Sequence, residues 1–180
     1  MERLLRLPAS VRVTGLRGEV VADDGWRRIT AADAQIPEGP VIVPLARLVD
    51  DEALLARADV APCLAADDDP FELPPALRER PLIAIEFPAF SDGRGLSTAV
   101  ILRTELGFTG ELRAVGDVAR DQLLAMARCG FDSFALREDQ DPQRALAGLR
   151  PLSRAYQGDV LDPRPLFRRR DAQDDSTRAA

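Results

Sequence analysis

The chain has 180 residues, of which 46% are hydrophobic and 30% charged, and its formal net charge is −6. This length and balance indicate one globular domain with a core of its own. The acidic balance argues against a general nucleic-acid binder and against a protein held to anionic lipid by charge, so we expect neither nucleic acid nor membrane as a partner.

Residue types that are missing from the chain limit its chemistry. The sequence has no histidine, lysine or asparagine, and arginine supplies all 24 positive charges. Without histidine there is no Ser-His-Asp nucleophile and no histidine-based metal site, and without lysine there is no pyridoxal Schiff base and no P-loop lysine. Two cysteines, Cys63 and Cys129, cannot hold an iron–sulfur cluster alone. Carboxylate, arginine, backbone and thiol chemistry is what is left, with no cofactor and no metal site evident.

The N-terminal sequence and the cysteine content indicate the cellular compartment of the protein. Residues 1–8 lack the apolar region of a signal peptide, and no apolar run approaches the length of a membrane span. Two distant cysteines are far fewer than a secreted disulfide scaffold carries. We therefore expect a cytoplasmic protein with reduced thiols.

Residues 1–30 are predicted to contain a small N-terminal β unit. Strand-like segments at 11–13, 19–21 and 26–29 are separated by turns rich in glycine and aspartate. Trp26 is expected to anchor the packing of this unit.

Residues 31–170 alternate short apolar strands with helical patterns. Strands are predicted at 41–45, 60–64, 82–87, 111–115 and 131–136. Asp50 is expected to cap the helix that runs to Arg57. Pro62 indicates an edge strand or an irregular segment, because proline cannot donate to a sheet ladder.

This alternation implies right-handed crossovers between parallel strands. We predict a single α/β domain with about five parallel strands, as an open sheet or a partial barrel, plus the N-terminal β unit. A complete eight-stranded barrel needs roughly 250 residues, which is more than this chain has. Residues 171–180 are polar and are predicted to form a disordered tail.

In parallel α/β folds, functional sites lie at the carboxyl ends of the strands. Glu86 and Asp117 lie at two such ends, which makes them candidate catalytic acids or bases. Two structural alternatives stay open: Glu86 is paired with Arg113 or Arg94, and Asp117 caps the following helix.

The loop after the strand 82–87 is a candidate anion site. Asp92, Gly93, Arg94 and Gly95 precede a helix, where close backbone approach, helix N–H groups and a planar guanidinium suit an oxyanion. The alternative is a tight turn in which Arg94 pairs with Asp92 or Asp117. Both cysteines are expected to be packing residues.

The C-terminal region contains a short basic patch at Arg168, Arg169 and Arg170. We expect either a solvated tail or a patch that docks to an acidic partner.

Several residue strings resemble a known bacterial family. They are FPAFSDGRG at 87–95, GELRAVGDV at 110–118, and DQL at 121–123 followed by RCGFD at 128–132. PVIVPL at 40–45, DDDP at 67–70, YQG at 156–158 and FRRR at 167–170 are similar as well. Together they resemble domain-of-unknown-function family 934 over most of residues 19–170.

The resemblance implies a pathway for the protein. Members of the family are typically encoded beside the sulfite (or nitrite) reductase haemoprotein and the adenylylsulfate reductase of cysteine biosynthesis. The implied function is that of an oxidoreductase or accessory protein of assimilatory sulfite reduction, with the haemoprotein or its electron donor as partner. The other hypothesis is a small-molecule enzyme that binds an oxyanion at the Asp92–Arg94 loop.

Overall fold

The structure, a computed structural model, describes residues 10–14, 17–21, 25–30, 33, 35–149 and 156–168. Within these ranges the strands are β1 (Ser10–Thr14), β2 (Arg17–Val21), β3 (Arg27–Arg28), β4 (Val41–Pro44), β5 (Val60–Leu64), β6 (Leu82–Phe87), β7 (Glu111–Gly116) and β8 (Ser133–Ala135). The helices are α1 (Leu45–Val49), α2 (Glu52–Ala56), α3 (Pro75–Arg78), α4 (Arg94–Thr104), α5 (Leu123–Arg128) and α6 (Pro142–Gly148), with a 3₁₀ turn at Pro70–Glu72.

All the described strands belong to one sheet with the order β2-β1-β8-β7-β6-β5-β4-β3. From β3 to β8, each strand pairs in parallel with the next one in the chain. Right-handed crossovers in this sequential order place the connecting helices on the same face, so the sheet curls into an open half-barrel. The predicted α/β fold is confirmed, in the form of an open half-barrel, with six parallel strands instead of about five.

The predicted N-terminal β unit is divided between the two edges of the sheet. β1 and β2 form an antiparallel hairpin, and β1 pairs antiparallel with β8. β3 lies at the opposite edge, where Arg28 is in register with Ile42 of β4. The strands are therefore present as predicted, but turn signals along the chain do not determine which edge of a sheet a strand joins.

The sheet separates two apolar clusters. The larger cluster joins one face of the strands to the helices and includes Val43, Ile85 and Ala114 together with Leu102 and Leu123. We call this the outer face. The smaller cluster consists of strand residues such as Ile42, Ala84 and Val115, with Trp26 packed against it. We call this the inner face, since it lies on the concave side of the half-barrel.

Local differences from the predicted elements occur near Asp50 and Pro62. The helical segment that the sequence placed after Asp50 begins one residue later, because the Asp51 side chain accepts the backbone N–H groups of Ala53 and Leu54. β5 is an interior strand rather than an edge strand. Its pairing with β6 starts at Cys63, directly after Pro62, so the missing proline N–H does not interrupt that ladder.

The parts of the chain outside the described ranges include the predicted disordered tail, residues 171–180. Among the described residues, no helix has the length and apolar character needed to cross a bilayer.

Candidate functional site

The carboxyl end of the parallel sheet brings the predicted catalytic residues close to one another. Glu86 of β6 is in register with Val115 of β7, and Phe87 is in register with Gly116. Asp117 follows immediately, and its backbone N–H donates to the Phe87 carbonyl at 2.8 Å. The sheet therefore places both predicted carboxylates at the same edge, as expected for parallel strands.

Glu86 forms an ion pair with Arg28 of β3. The pair bridges strands that are three positions apart in the sheet, across the concave inner face. Its partner is thus neither Arg113 nor Arg94, the two arginines considered from the sequence. The strand pattern predicts that the side chains of Arg28 and Ile29 point to opposite faces of the sheet. It does not predict that Glu86 lies opposite Arg28, because that contact depends on the curl of the sheet.

Cys63 lies next to this pair on the inner face, with 4% of its surface exposed. Burial raises the pKa of its thiol to about 12, although the nearby Arg28 guanidinium acts in the opposite direction. A thiol of this kind is protonated at neutral pH and is a poor nucleophile. The geometry fits the packing role expected from the sequence.

Asp117 fastens two loops to each other. Its Oδ2 accepts the backbone N–H of Phe90 at 2.9 Å, and its Oδ1 accepts Nη1 of Arg137 at 2.8 Å. The predicted capping role is not what the structure shows, because α5 begins at Leu123 and the nearby Ala119 N–H is taken by Gln122. Asp117 is therefore held by a charged partner and by the backbone.

Arg137 extends this network to the loop after β8. Its guanidinium also forms hydrogen bonds of 2.6 and 2.8 Å with the two carboxylate oxygens of Asp139. The hydrogen bonds that Arg137 donates to Asp139, and then the one to Asp117, raise the pKa of Arg137, and the contact with Arg137 lowers the pKa of Asp139. Three carboxyl-end loops are thus tied together by one arginine and two aspartates.

The Asp92–Arg94 loop forms an ion pair within itself. Arg94 binds Asp92 through Nε and Nη2, at 3.0 and 2.7 Å, and the Arg94 backbone N–H donates to the same carboxylate at 3.1 Å. The side-chain hydrogen bond from Arg94 lowers the pKa of Asp92. One of the alternatives left open by the sequence, a turn in which Arg94 pairs with Asp92, is therefore present.

The two glycines of this loop differ in their surroundings. A Cβ at Gly95 would lie 2.9 Å from side-chain atoms of Ile85 and of Phe87, whereas a Cβ at Gly93 would make only an ordinary contact of 3.9 Å with Leu96. Gly95 thus permits close packing of α4 on β6. Its presence has a structural reason that is independent of any bound anion.

A second charged cluster lies at the amino end of the inner face. Arg113 is completely buried and donates to Glu111 from Nη2 at 2.6 Å and to Ser133 from Nε at 3.1 Å. Arg12 of β1 reaches the other oxygen of Glu111 at 3.3 Å. The sequence singled out Arg113 only as a partner for Glu86. Its true neighbours come from the register between β7, β8 and β1.

The C-terminal basic patch is described only in part. Arg168 is exposed, and its guanidinium carbon lies 5.9 Å from the centroid of the Phe167 ring. Arg169 and Arg170 lie outside the described residues. Within the described residues, no three histidine, cysteine, aspartate or glutamate side chains come together in a group that could hold a metal ion.

Comparisons with known proteins identify the family. No curated protein and no solved structure matches the chain. The family model described as "Bacterial protein of unknown function (DUF934)" matches residues 61–167, more than half of the chain. The chain belongs to this family.

Proposed function

We propose that the protein is an accessory component of assimilatory sulfite reduction, which acts by binding the sulfite reductase haemoprotein. The pathway rests on the residue strings that resemble the family and on the family membership over residues 61–167. We further propose that the protein works in the cytoplasm and that its contribution is binding rather than chemical turnover.

The observation that favours a binding role is the state of the candidate catalytic carboxylates. Glu86 is paired with Arg28, and Asp117 is paired with Arg137. A general acid or base must contact its substrate directly, and here an oxygen of each carboxylate already binds an arginine of the same molecule. These pairs suit a rigid surface better than they suit proton transfer.

Growth on defined sulfur sources tests the pathway. A deletion strain of a bacterium that carries this gene is grown on sulfate, sulfite, sulfide or cysteine as the only sulfur source. We expect growth on sulfide and cysteine, poor growth on sulfate and sulfite, and rescue by the gene on a plasmid. Normal growth on all four, with no second copy of the gene present, would contradict the pathway.

The alternative function, an enzyme that binds an oxyanion at the Asp92–Arg94 loop, has a test of its own. An anion there competes with the Asp92 carboxylate for the Arg94 guanidinium, so we expect weak binding at best. Calorimetric titration with sulfite and with sulfate measures it. Tight binding that is lost in Arg94→Ala and kept in the control Arg168→Ala would favour the enzyme.

A further inference from the structure

Exposed large apolar side chains are concentrated near the C-terminus of the described chain. Six are exposed among the described residues: Val49, Phe71, Phe90, Tyr156, Leu161 and Phe167. Half of them fall in the short segment 156–168, where Tyr156 is 71% exposed and Phe167 54% exposed. Scattered single residues need no explanation, but a local concentration indicates an interaction surface.

The segment 156–168 is held in a defined shape. Arg128 of α5 donates from Nε to Asp159 at 2.7 Å, and the Val160 N–H donates to the Arg128 carbonyl at 3.1 Å. The Leu166 N–H closes the segment onto the Tyr156 carbonyl at 3.0 Å. Aromatic side chains carried by an ordered segment lose little conformational entropy on binding, which favours recognition.

A groove runs between this segment and the two neighbouring helices. Its volume is about 870 Å³, and its walls include Val100 of α4, Ala125 and Cys129 of α5, and Val160 and Pro163 of the segment. The groove lies on the outer face of the molecule, away from the ion pairs at the carboxyl end of the sheet. It is large enough to admit apolar side chains from a partner.

The exposed charges of the segment 156–168 are basic, whereas the whole chain is acidic. Asp159 is directed inward, since its side chain is only 15% exposed and is paired with Arg128. Of the four charged residues between 156 and 168, only the basic Arg164 and Arg168 are exposed, whereas Asp162, like Asp159, is partly buried. On a chain with a net charge of −6, this is a locally basic surface, which complements an acidic one.

We infer that the loop face, defined as Tyr156, Leu161, Phe167, Arg168 and the groove beside them, is a docking surface for an acidic protein partner that places apolar side chains in the groove. The inference rests on the proposed function, because it assigns the haemoprotein of sulfite reduction to this surface.

Binding to the purified haemoprotein from the same organism tests the inference. The double variant Phe167→Ser with Arg168→Glu is compared with the control Phe71→Ser with Arg120→Glu, because Phe71 and Phe167 are equally exposed, at 54%. We expect binding by the wild-type protein that weakens as ionic strength rises. We also expect at least about a tenfold loss of affinity in the loop-face variant and less than about a twofold change in the control.

A groove-filling variant tests the same surface without changing any charge. Ala125 is exposed on α5, so Ala125→Trp fills the groove while the core stays intact. Ala147→Trp, at an exposed position of α6, is the matched control. We expect Ala125→Trp to abolish binding and Ala147→Trp to preserve it, with thermal unfolding showing that both variants fold.

Three outcomes would overturn the inference. If neither the Phe167→Ser, Arg168→Glu variant nor Ala125→Trp changes binding, the docking surface lies elsewhere and the proposed function is unaffected. Absence of binding by the wild-type protein would refute the haemoprotein as partner, and the growth experiment would then decide separately on the pathway. A wild-type dimer that Ala125→Trp converts to a monomer would show that a second copy of this chain occupies the groove.

Discussion

The carboxyl end of the sheet and the loop face present their side chains in opposite ways. At the carboxyl end, Arg28, Arg94 and Arg137 each bind a carboxylate of the same molecule. At the loop face, an ion pair between Arg128 and Asp159 anchors the segment, while the side chains of Tyr156, Phe167 and Arg168 are exposed. Charged side chains at the carboxyl end of a parallel sheet are therefore not automatically available to a ligand, because here they bind one another.

Gly116 tests how tightly the carboxyl end of the sheet is packed. This residue has φ +97°, and an added Cβ would lie 2.3 Å from the Phe87 carbonyl oxygen. Because both the strained φ and the backbone clash must be relieved, we expect Gly116→Ala to lower the free energy of unfolding by about 3 kcal/mol or more. Chemical denaturation measures the loss.

The control for this change is Gly107→Ala. Gly107 has φ +66° but no atom within 4 Å of an added Cβ, so only the backbone strain applies. A cost of about 1 kcal/mol is expected. Equal losses in the two variants would mean that the contact between β6 and β7 at this point is not tight.

A second comparison sets the two charged clusters of the inner face against each other. Glu111→Gln leaves Arg113 completely buried with a neutral partner, which we expect to cost about 3 kcal/mol of unfolding free energy. Glu86→Gln removes a pair whose carboxylate is 39% exposed, with an expected cost below about 1 kcal/mol. Denaturant titration of both variants checks the ranking, and the reverse order would contradict the burial argument.

Titration of the Asp92 carboxyl group tests whether the Asp92–Arg94 ion pair forms in solution. Arg94 lowers the pKa of Asp92 from its ordinary value of 3.8. The ionised pair therefore stabilises the loop above about pH 4, and this contribution is lost as the pH falls through the lowered pKa. Carboxyl NMR titration should show a midpoint below 3.8, which moves up in Arg94→Gln. An unchanged midpoint would show that the pair does not form in solution.

The two thiols give the smallest expected effect. Burial raises the pKa of both Cys63 and Cys129, but Cys129 lines the groove and is less deeply buried. We expect slow reaction of both with a disulfide reagent at neutral pH, with Cys129 reacting first. The variants Cys63→Ala and Cys129→Ala show which thiol gives the faster phase of the reaction and which gives the slower one. Faster reaction of Cys63 would indicate that the inner face opens.

The sequence predicts much of the fold but less of the candidate site. Hydrophobic periodicity is local, so it predicted strands at 82–87 and 111–115, which agree with the observed β6 and β7 to within one residue, and the parallel sheet that contains them. The partners of Glu86 and Arg113 depend on register and curl across several strands, which no local pattern encodes. Asp92 and Arg94 are close in sequence, and their pairing was accordingly among the alternatives considered.

The interior position of Pro62 shows a related limit. A proline argues against an interior strand, but the pairing of β5 with β6 begins just beyond it. The loop face was likewise only partly anticipated. Arg168 was noted because it starts a run of charge, whereas the exposure of Tyr156 and Leu161 follows from how the segment packs on α5.

The most direct measurement of the account is rescue of the deletion strain on sulfite by two sets of variants. Glu86→Gln with Asp117→Asn alters the carboxyl end, and Phe167→Ser with Arg168→Glu alters the loop face. We predict that the carboxyl-end variant restores growth and that the loop-face variant does not, at equal protein levels. Growth restored by the loop-face variant but not by the carboxyl-end variant would contradict it and would favour carboxylate chemistry at Glu86 and Asp117.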